Sequence, residues 1–270
     1  MGFTEQEGVK SQVVTYAIAN KKGGVGKTTT TINLAGAFAT LGKKVLVVDM
    51  DDQANTTYAF TGQRTRTPSL YDLLLDSDNR VNISQVICSS GVAEIDILPA
   101  NKDTMQGFER EVQGAVGEQM LLQGVLAQLA RGTYEYVLID LPPSLGTATI
   151  NGLYAADEII IPVEPGVFAL QGIQDLYEII KLIIKRLNKS DLKVTGFLIT
   201  KKERTNVAAD TIDILQRSFG DQVFATMIPK NVALEEAHSR KGTIFQHAPN
   251  SAGALAYLAL AKEILQDDHN

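Results

Sequence analysis

Seven short apolar or β-branched runs punctuate the chain, at residues 13–19, 45–49, 95–98, 136–140, 158–163, 194–200 and 223–228. Their length and continuity predict strands buried on both faces, and the stretches between most of them carry the three-and-four spacing of amphipathic helices. One helix is expected over 29–41. Another begins near Leu170, with Ile173, Leu176, Ile180 and Ile184 as its buried stripe. Strands alternating with helices predict an α/β fold, a mainly parallel twisted sheet with helices on both faces. Such sheets bind ligands beyond the carboxyl ends of their strands. Residues 61–69 and 201–206 are the clearest loops, and no repeat or interdomain linker interrupts the pattern. The 270 residues are therefore expected to form one domain, with residues 1–12 as a flexible tail.

The first strand runs into Lys21-Lys22-Gly23-Gly24-Val25-Gly26-Lys27-Thr28-Thr29 and then into a helix. Strand, glycine-rich turn and helix form the setting of a phosphate loop. Glycines free successive N–H groups to curl around an anion at the helix N-terminus, a lysine reaches the β- and γ-phosphates, and a hydroxyl ligates Mg²⁺. Lys27 and Thr28 fit those two roles. The first glycine of the general G-x-x-x-x-G-K-[ST] pattern is replaced by Lys21, and a second lysine, Lys22, stands five positions before Lys27. The loop is thus a deviant Walker A motif.

Two further strands end in carboxylates. The second gives Asp49-Met50-Asp51-Asp52-Gln53, where an aspartate past the strand end can orient an attacking water or hold a Mg²⁺-bound one; Asp51 is the candidate. Asp49 and Asp52 fit either that chemistry or the capping of the next helix. The strand over 136–140 ends in Asp140 before Leu141-Pro142-Pro143-Ser144, the form of a Walker B strand whose aspartate binds Mg²⁺ directly or through water.

Charge and composition refine this picture. The net charge is −6, yet residues 170–245 hold 12 Lys/Arg against 9 Asp/Glu, which reads either as a basic region able to meet phosphates or as an ordinary mixed-charge surface. Lys181, Lys185 and Lys189 recur at four-residue spacing, read either as part of that surface or as an ordinary solvated helix face. Cys88 is the lone cysteine, and no apolar run reaches the length of a membrane span. A cytoplasmic protein is expected.

The phosphate loop, Asp49-Met50-Asp51-Asp52-Gln53-Ala54-Asn55 and Asp140-Leu141-Pro142-Pro143-Ser144-Leu145-Gly146 together resemble the three motifs of ParA-type partition ATPases. The likeness continues through Thr200-Lys201-Lys202-Glu203-Arg204-Thr205-Asn206, Ile228-Pro229-Lys230-Asn231-Val232, Leu234-Glu235-Glu236-Ala237-His238-Ser239 and 253–263, and so covers about 13–265. It is to the short form, without an N-terminal helix-turn-helix domain. The resemblance implies a slow Mg²⁺-dependent ATPase that forms an ATP-sandwich homodimer. In it, Lys22 reaches the partner's nucleotide and Gly23, Gly24, Val25, Gly26, Lys27, Thr28 and Thr29 hold the subunit's own. Thr28, Asp51 and Asp140 serve the metal and hydrolysis, Pro229 and Asn231 the adenine, and Arg204 and Lys230 nonspecific DNA. It further implies a nucleoid-associated cycle, with hydrolysis stimulated by a ParB-type or adaptor protein. The cargo implied is a plasmid or chromosome, or a carboxysome-like compartment.

Two positions depart from the family pattern: Asp52 stands where proline is common, and His238 does so again in Glu236-Ala237-His238-Ser239. A MinD-like membrane cycle requires a basic amphipathic last helix. Here that helix ends in Gln266-Asp267-Asp268, which an anionic bilayer repels. The nitrogenase iron protein needs ligating cysteines that Cys88 alone does not supply. A surface or structural role is expected for His238, His247 and His269.

Overall fold

A computed structural model describes residues 13–76, 78, 80–166 and 169–267. The expected tail at 1–12, Asp268, His269 and the side chains of His238, Ser239 and Asp267 lie outside the described residues. Seven strands form one sheet: β1 (Val14–Ile18), β2 (Val45–Asp49), β3 (Cys88–Ser89), β4 (Ile95–Leu98), β5 (Tyr136–Asp140), β6 (Glu158–Val163) and β7 (Lys193–Ile199). Their spatial order is β3-β4-β2-β5-β1-β6-β7. All pairings are parallel except that of β3 with β4.

Side chains alternate between two buried layers, as the period of two requires. Tyr16, Ile18, Val45, Val47, Tyr136 and Leu138 face one hydrophobic cluster. Ala17, Leu46, Val48, Val137 and Ile139 face the other. Helix α1 (Lys27–Thr40) packs on the first face, where it meets the last helix, Ala252–Asp267. Gly36 of α1 is required there, because a Cβ would fall 2.9 Å from Phe245 and Thr243 side-chain atoms.

Three expectations are corrected. Residues 223–228 form no strand: the segment runs beside β7 and the loop after it through isolated bridges, Phe197 to Val223 and Lys202 to Pro229, and the Ile228 N–H bonded to the Ile199 carbonyl at 2.8 Å. The Glu263 carboxylate accepts the N–H groups of Ala225 at 2.6 Å and Thr226 at 3.0 Å, so those donors are withdrawn from any ladder. The helix near Leu170 spans Ala169–Arg186, and its fourth buried stripe position is Ile183, whereas Ile184 is exposed. Lys189 lies past that helix and is only 10% exposed where it pairs with Asp191, so it does not continue the face of Lys181 and Lys185. Lys181 is itself paired with Glu178. Among the described residues, no helix is long and apolar enough to cross a membrane.

Candidate functional site

Because β5 lies between β2 and β1, register places Asp140 level with both Asp49 and Ile18. The three loops that leave these strands therefore converge on one edge of the sheet. The phosphate loop turns through Gly24 at φ 76° and Gly26 at φ 90°, backbone that disfavours any residue with a Cβ. At Gly23 a Cβ would sit 3.8 Å from Pro143, so this loop lies close beside the loop after β5. Thr200, at the end of β7, donates to the Val25 carbonyl at 2.8 Å and fixes the loop from below. The N-terminus of α1 has neither a capping side chain nor an acidic residue in its first turn. Its first-turn N–H groups and positive dipole end are thus not offset by a side chain of the helix's own first turn.

They open into a cavity of about 780 Å³, lined by the glycines of the loop, Lys27, Thr28, Thr29, Asp51 and Pro143, with Tyr58 and Arg64 on another wall. Lys27 is 6% exposed, and its Nζ donates weakly to the Lys22 carbonyl at 3.4 Å. Burial lowers its pKa, against the opposing pull of Asp140 and Asp51. A buried ammonium that makes no ion pair within 4.0 Å among the described residues is suited to an anionic ligand. Lys22, by contrast, does not line the cavity. Its backbone N–H is held by Asn20 Oδ1 at 2.9 Å, and its side chain is partly exposed.

The aspartates divide into different environments. Asp140 is fully buried and accepts hydrogen bonds from Thr28 at 2.8 Å, Thr56 at 2.6 Å and, more weakly, Thr31 at 3.4 Å. Burial raises its pKa to about 6, with Asp51 adding to the effect. Asp49 is equally buried and accepts from the Asp51 N–H at 3.1 Å, the Thr57 N–H at 2.7 Å and the Thr57 hydroxyl at 2.6 Å. Thr57 lies in the first turn of α2 (Asn55–Thr61), so of the two roles open to Asp49 the helix-holding one is observed. Burial, then the Asp140 charge, raises its pKa to about 8. Asp51 lines the cavity; its Oδ1 accepts the Gln53 N–H at 2.9 Å, and burial and Asp52 both raise its pKa.

Mg²⁺ fits this donor set. Among the described residues no cluster of three or more His, Cys, Asp or Glu could cage a metal. One hydroxyl, Thr28, at the cavity wall and backed by the Asp140 carboxylate suits a hard ion that takes most of its oxygens from water and phosphate.

A smaller cavity of about 50 Å³ adjoins the first, sharing Gly26, Thr29, Lys201 and Glu235 with it. Pro229 and Asn231 line it, over Tyr257, whose hydroxyl lies 3.2 Å from Thr30 Oγ1. Asn231 Oδ1 is committed to the Ala233 N–H at 3.0 Å, as the cap of helix Val232–Arg240, which leaves its Nδ2 to act as a donor. Arg204 and Lys230 lie on neighbouring segments, since Lys202 and Pro229 are bridged. Arg204 is exposed, and Lys230 is bonded to Glu203 at 2.5 Å.

Thr56, Thr57 and Arg64 belong to the site and carry no sequence signature, and Tyr257 falls in the 253–263 stretch of the family likeness with no role implied there. Each reaches the site through the path of a loop or helix.

Comparison with known proteins agrees with this geometry. A family profile described as an AAA domain matches residues 13–194. The sporulation initiation inhibitor protein Soj of Bacillus subtilis is 39% identical over 250 residues, 92% of this chain and 96% of that protein. The chromosome partitioning protein ParA of Caulobacter vibrioides is 35% identical over 257 residues, 94% of each chain. Among solved structures, cobyrinic acid a,c-diamide synthase from Mycobacterium smegmatis with bound ADP and magnesium superposes with a TM-score of 0.81 at 30% identity, covering 96% of both chains. With the phosphate loop, the two aspartate-ended strands and this level of identity along nearly its whole length, the chain belongs to the ParA/Soj family of P-loop ATPases.

Proposed function

We propose that the protein is an ATP-driven dimerising switch that holds nonspecific DNA in its ATP state and lets go after hydrolysis. The observation that carries the reading is the separation of the two lysines of one loop: Lys27 inside the subunit's own cavity, Lys22 outside it. In this reading Lys27 and the α1 N-terminus bind the β- and γ-phosphates, and Thr28, with Asp140 behind it, holds the metal. Mg²⁺, when bound, neutralises phosphate charge and polarises the bond to be broken. Asp51 orients the attacking water and takes up its proton. Pro229 and Asn231 Nδ2 hold the adenine in the small cavity. Lys22 neutralises the γ-phosphate of the partner subunit, which makes closure of the dimer depend on ATP.

Doubling the subunits doubles a surface built on Arg204 and Lys230, and phosphate affinity rises steeply with the number of neutralised charges. A partner of the ParB or adaptor type, stimulating hydrolysis, completes the cycle. The chromosome-partitioning name of the Caulobacter relative favours DNA as the cargo. DNA retention on a gel or filter at fixed low salt tests the proposal. Retention with ATP and its loss with ADP is expected, and equal retention by the nucleotide-free protein would overturn the switch.

A further inference from the structure

Arg64 lies on the loop that leaves α2, yet its guanidinium turns back to the segment before that helix. Nη1 donates to the Gln53 carbonyl at 2.6 Å and to Asn55 Oδ1 at 2.6 Å, and Cζ stands 4.9 Å from the Tyr58 ring centroid. The loop itself is anchored. The Arg64 carbonyl accepts the Lys102 N–H at 2.8 Å, and Asn101 Nδ2 donates to the Arg66 carbonyl at 2.9 Å.

The two groups that Arg64 grips flank Ala54, which is held at φ 51° in the left-handed region. For a residue with a Cβ that conformation is unfavourable and persists only where the surroundings impose it. The same turn sets Asp51: the Ala54 N–H donates to the Asp51 carbonyl at 3.0 Å and the Gln53 N–H to Asp51 Oδ1 at 2.9 Å. A planar guanidinium bridging Gln53 and Asn55 thus braces, from outside, the turn that aims the Asp51 carboxylate.

We infer that Arg64 is a positioning residue for ATP hydrolysis, acting through Gln53 and Asn55 on Asp51. The inference rests on the hydrolytic role proposed for Asp51 above. Because Arg64 also lines the cavity wall, a direct nucleotide contact is the alternative that a test must separate from positioning.

Steady-state ATPase assays and nucleotide titrations on the full chain make that separation. Arg64→Ala should lower kcat by roughly tenfold or more, since small misplacements of a reacting group are expensive. KM and nucleotide affinity should stay within about twofold, the pattern of an interaction felt only in the transition state. Arg64→Lys, which keeps the charge without the planar head group or its full reach, should fall between, and keeps the question answerable if the alanine variant folds poorly. Added guanidinium ion should restore part of the Arg64→Ala rate and none of the Asp51→Ala rate. Asn55→Ala and Arg64→Ala should be strongly non-additive in kcat. A raised KM with unchanged kcat would make Arg64 a nucleotide contact instead and overturn the inference. If Arg64→Ala turns over like the native protein while Asp51→Ala is inactive, the positioning role alone falls. If Asp51→Ala is also fully active, the Asp51 reading falls with it.

Discussion

Thr28 Oγ1 donates to Asp140 Oδ2 at 2.8 Å, joining two residues 112 positions apart and making the first turn of α1 and the end of β5 a single polar unit. Thr56, at 2.6 Å from the same oxygen, extends that unit to α2. The phosphate-side hydroxyl is therefore aimed by a buried carboxylate, and that carboxylate is satisfied by hydroxyls from two helices.

Thr28→Val removes one of these donors while keeping the side chain's shape. A buried acceptor that loses its partner destabilises by about 1–3 kcal/mol, which chemical denaturation of the nucleotide-free protein should register. Nucleotide affinity should at the same time lose its dependence on Mg²⁺. Unchanged Mg²⁺ dependence in a titration with a fluorescent nucleotide would remove Thr28 from the metal site.

Asp49 makes stability depend on pH. Its pKa in the folded protein is raised above its ordinary value of 3.8, to about 8, so across that interval the folded state binds more protons than the unfolded one. Its stabilising contribution is complete below 3.8 and is lost as pH rises through about 8. Asp140, raised in the same direction, adds to the slope over its lower part. Thermal unfolding of the nucleotide-free protein should accordingly give a Tm that falls between pH 6 and pH 8, and Asp49→Asn should flatten the trend. A slope identical in Asp49→Asn would exclude Asp49 as its source.

Lys22→Ala should bind nucleotide as the native protein does, because Lys22 does not line the subunit's own cavity. It should fail to form ATP-dependent dimers, as read by light scattering after size-exclusion chromatography. Dimers of native stability would show that closure does not depend on this ammonium.

The basic surface has a built-in asymmetry. Both cations are exposed, but Glu203 already pairs with Lys230, whereas Arg204 forms no ion pair among the described residues. Arg204→Ala should weaken DNA binding at all sequences and reduce the salt slope by about one, the signature of a lost phosphate contact. Glu203→Ala releases Lys230 and should strengthen binding at low salt. Weaker binding by Glu203→Ala would mean that Glu203 orients the surface rather than masks it.

What could be read from the sequence follows a physical division. Strands β1, β2, β5 and β6 announce themselves as the nearly continuous apolar runs that burial on both faces requires, β4 and β7 more weakly by apolar and β-branched residues, and the carboxylates at the ends of β2 and β5 stand out against those runs. Residues 223–228 satisfy the same composition, but a carboxylate 37 or 38 residues away in sequence claims two of their N–H groups, which no local pattern can reveal. Ile183 against Ile184 is the ambiguity between three- and four-residue steps on a helix, settled only by what the helix packs on. Lys189 misleads because its spacing continues a face after the helix that bears the face has ended at Arg186. Arg64 is legible only as a cation in a loop; its destination depends on the turn at Ala54 and on how 62–69 is tied to Asn101 and Lys102.

The sheet's two borders bear on how copies of the protein can join. One border, β3, is two residues long and ends a pairing that has already reversed direction. The other, β7, is covered by the chain's own 223–229 segment, with Phe224 and Ile228 donating to the Phe197 and Ile199 carbonyls at 3.1 and 2.8 Å. Neither offers the long unpaired strand on which a neighbour could extend the sheet. The dimer proposed above would therefore have to close through side chains and nucleotide rather than through a shared sheet, contacts that a change of nucleotide can undo.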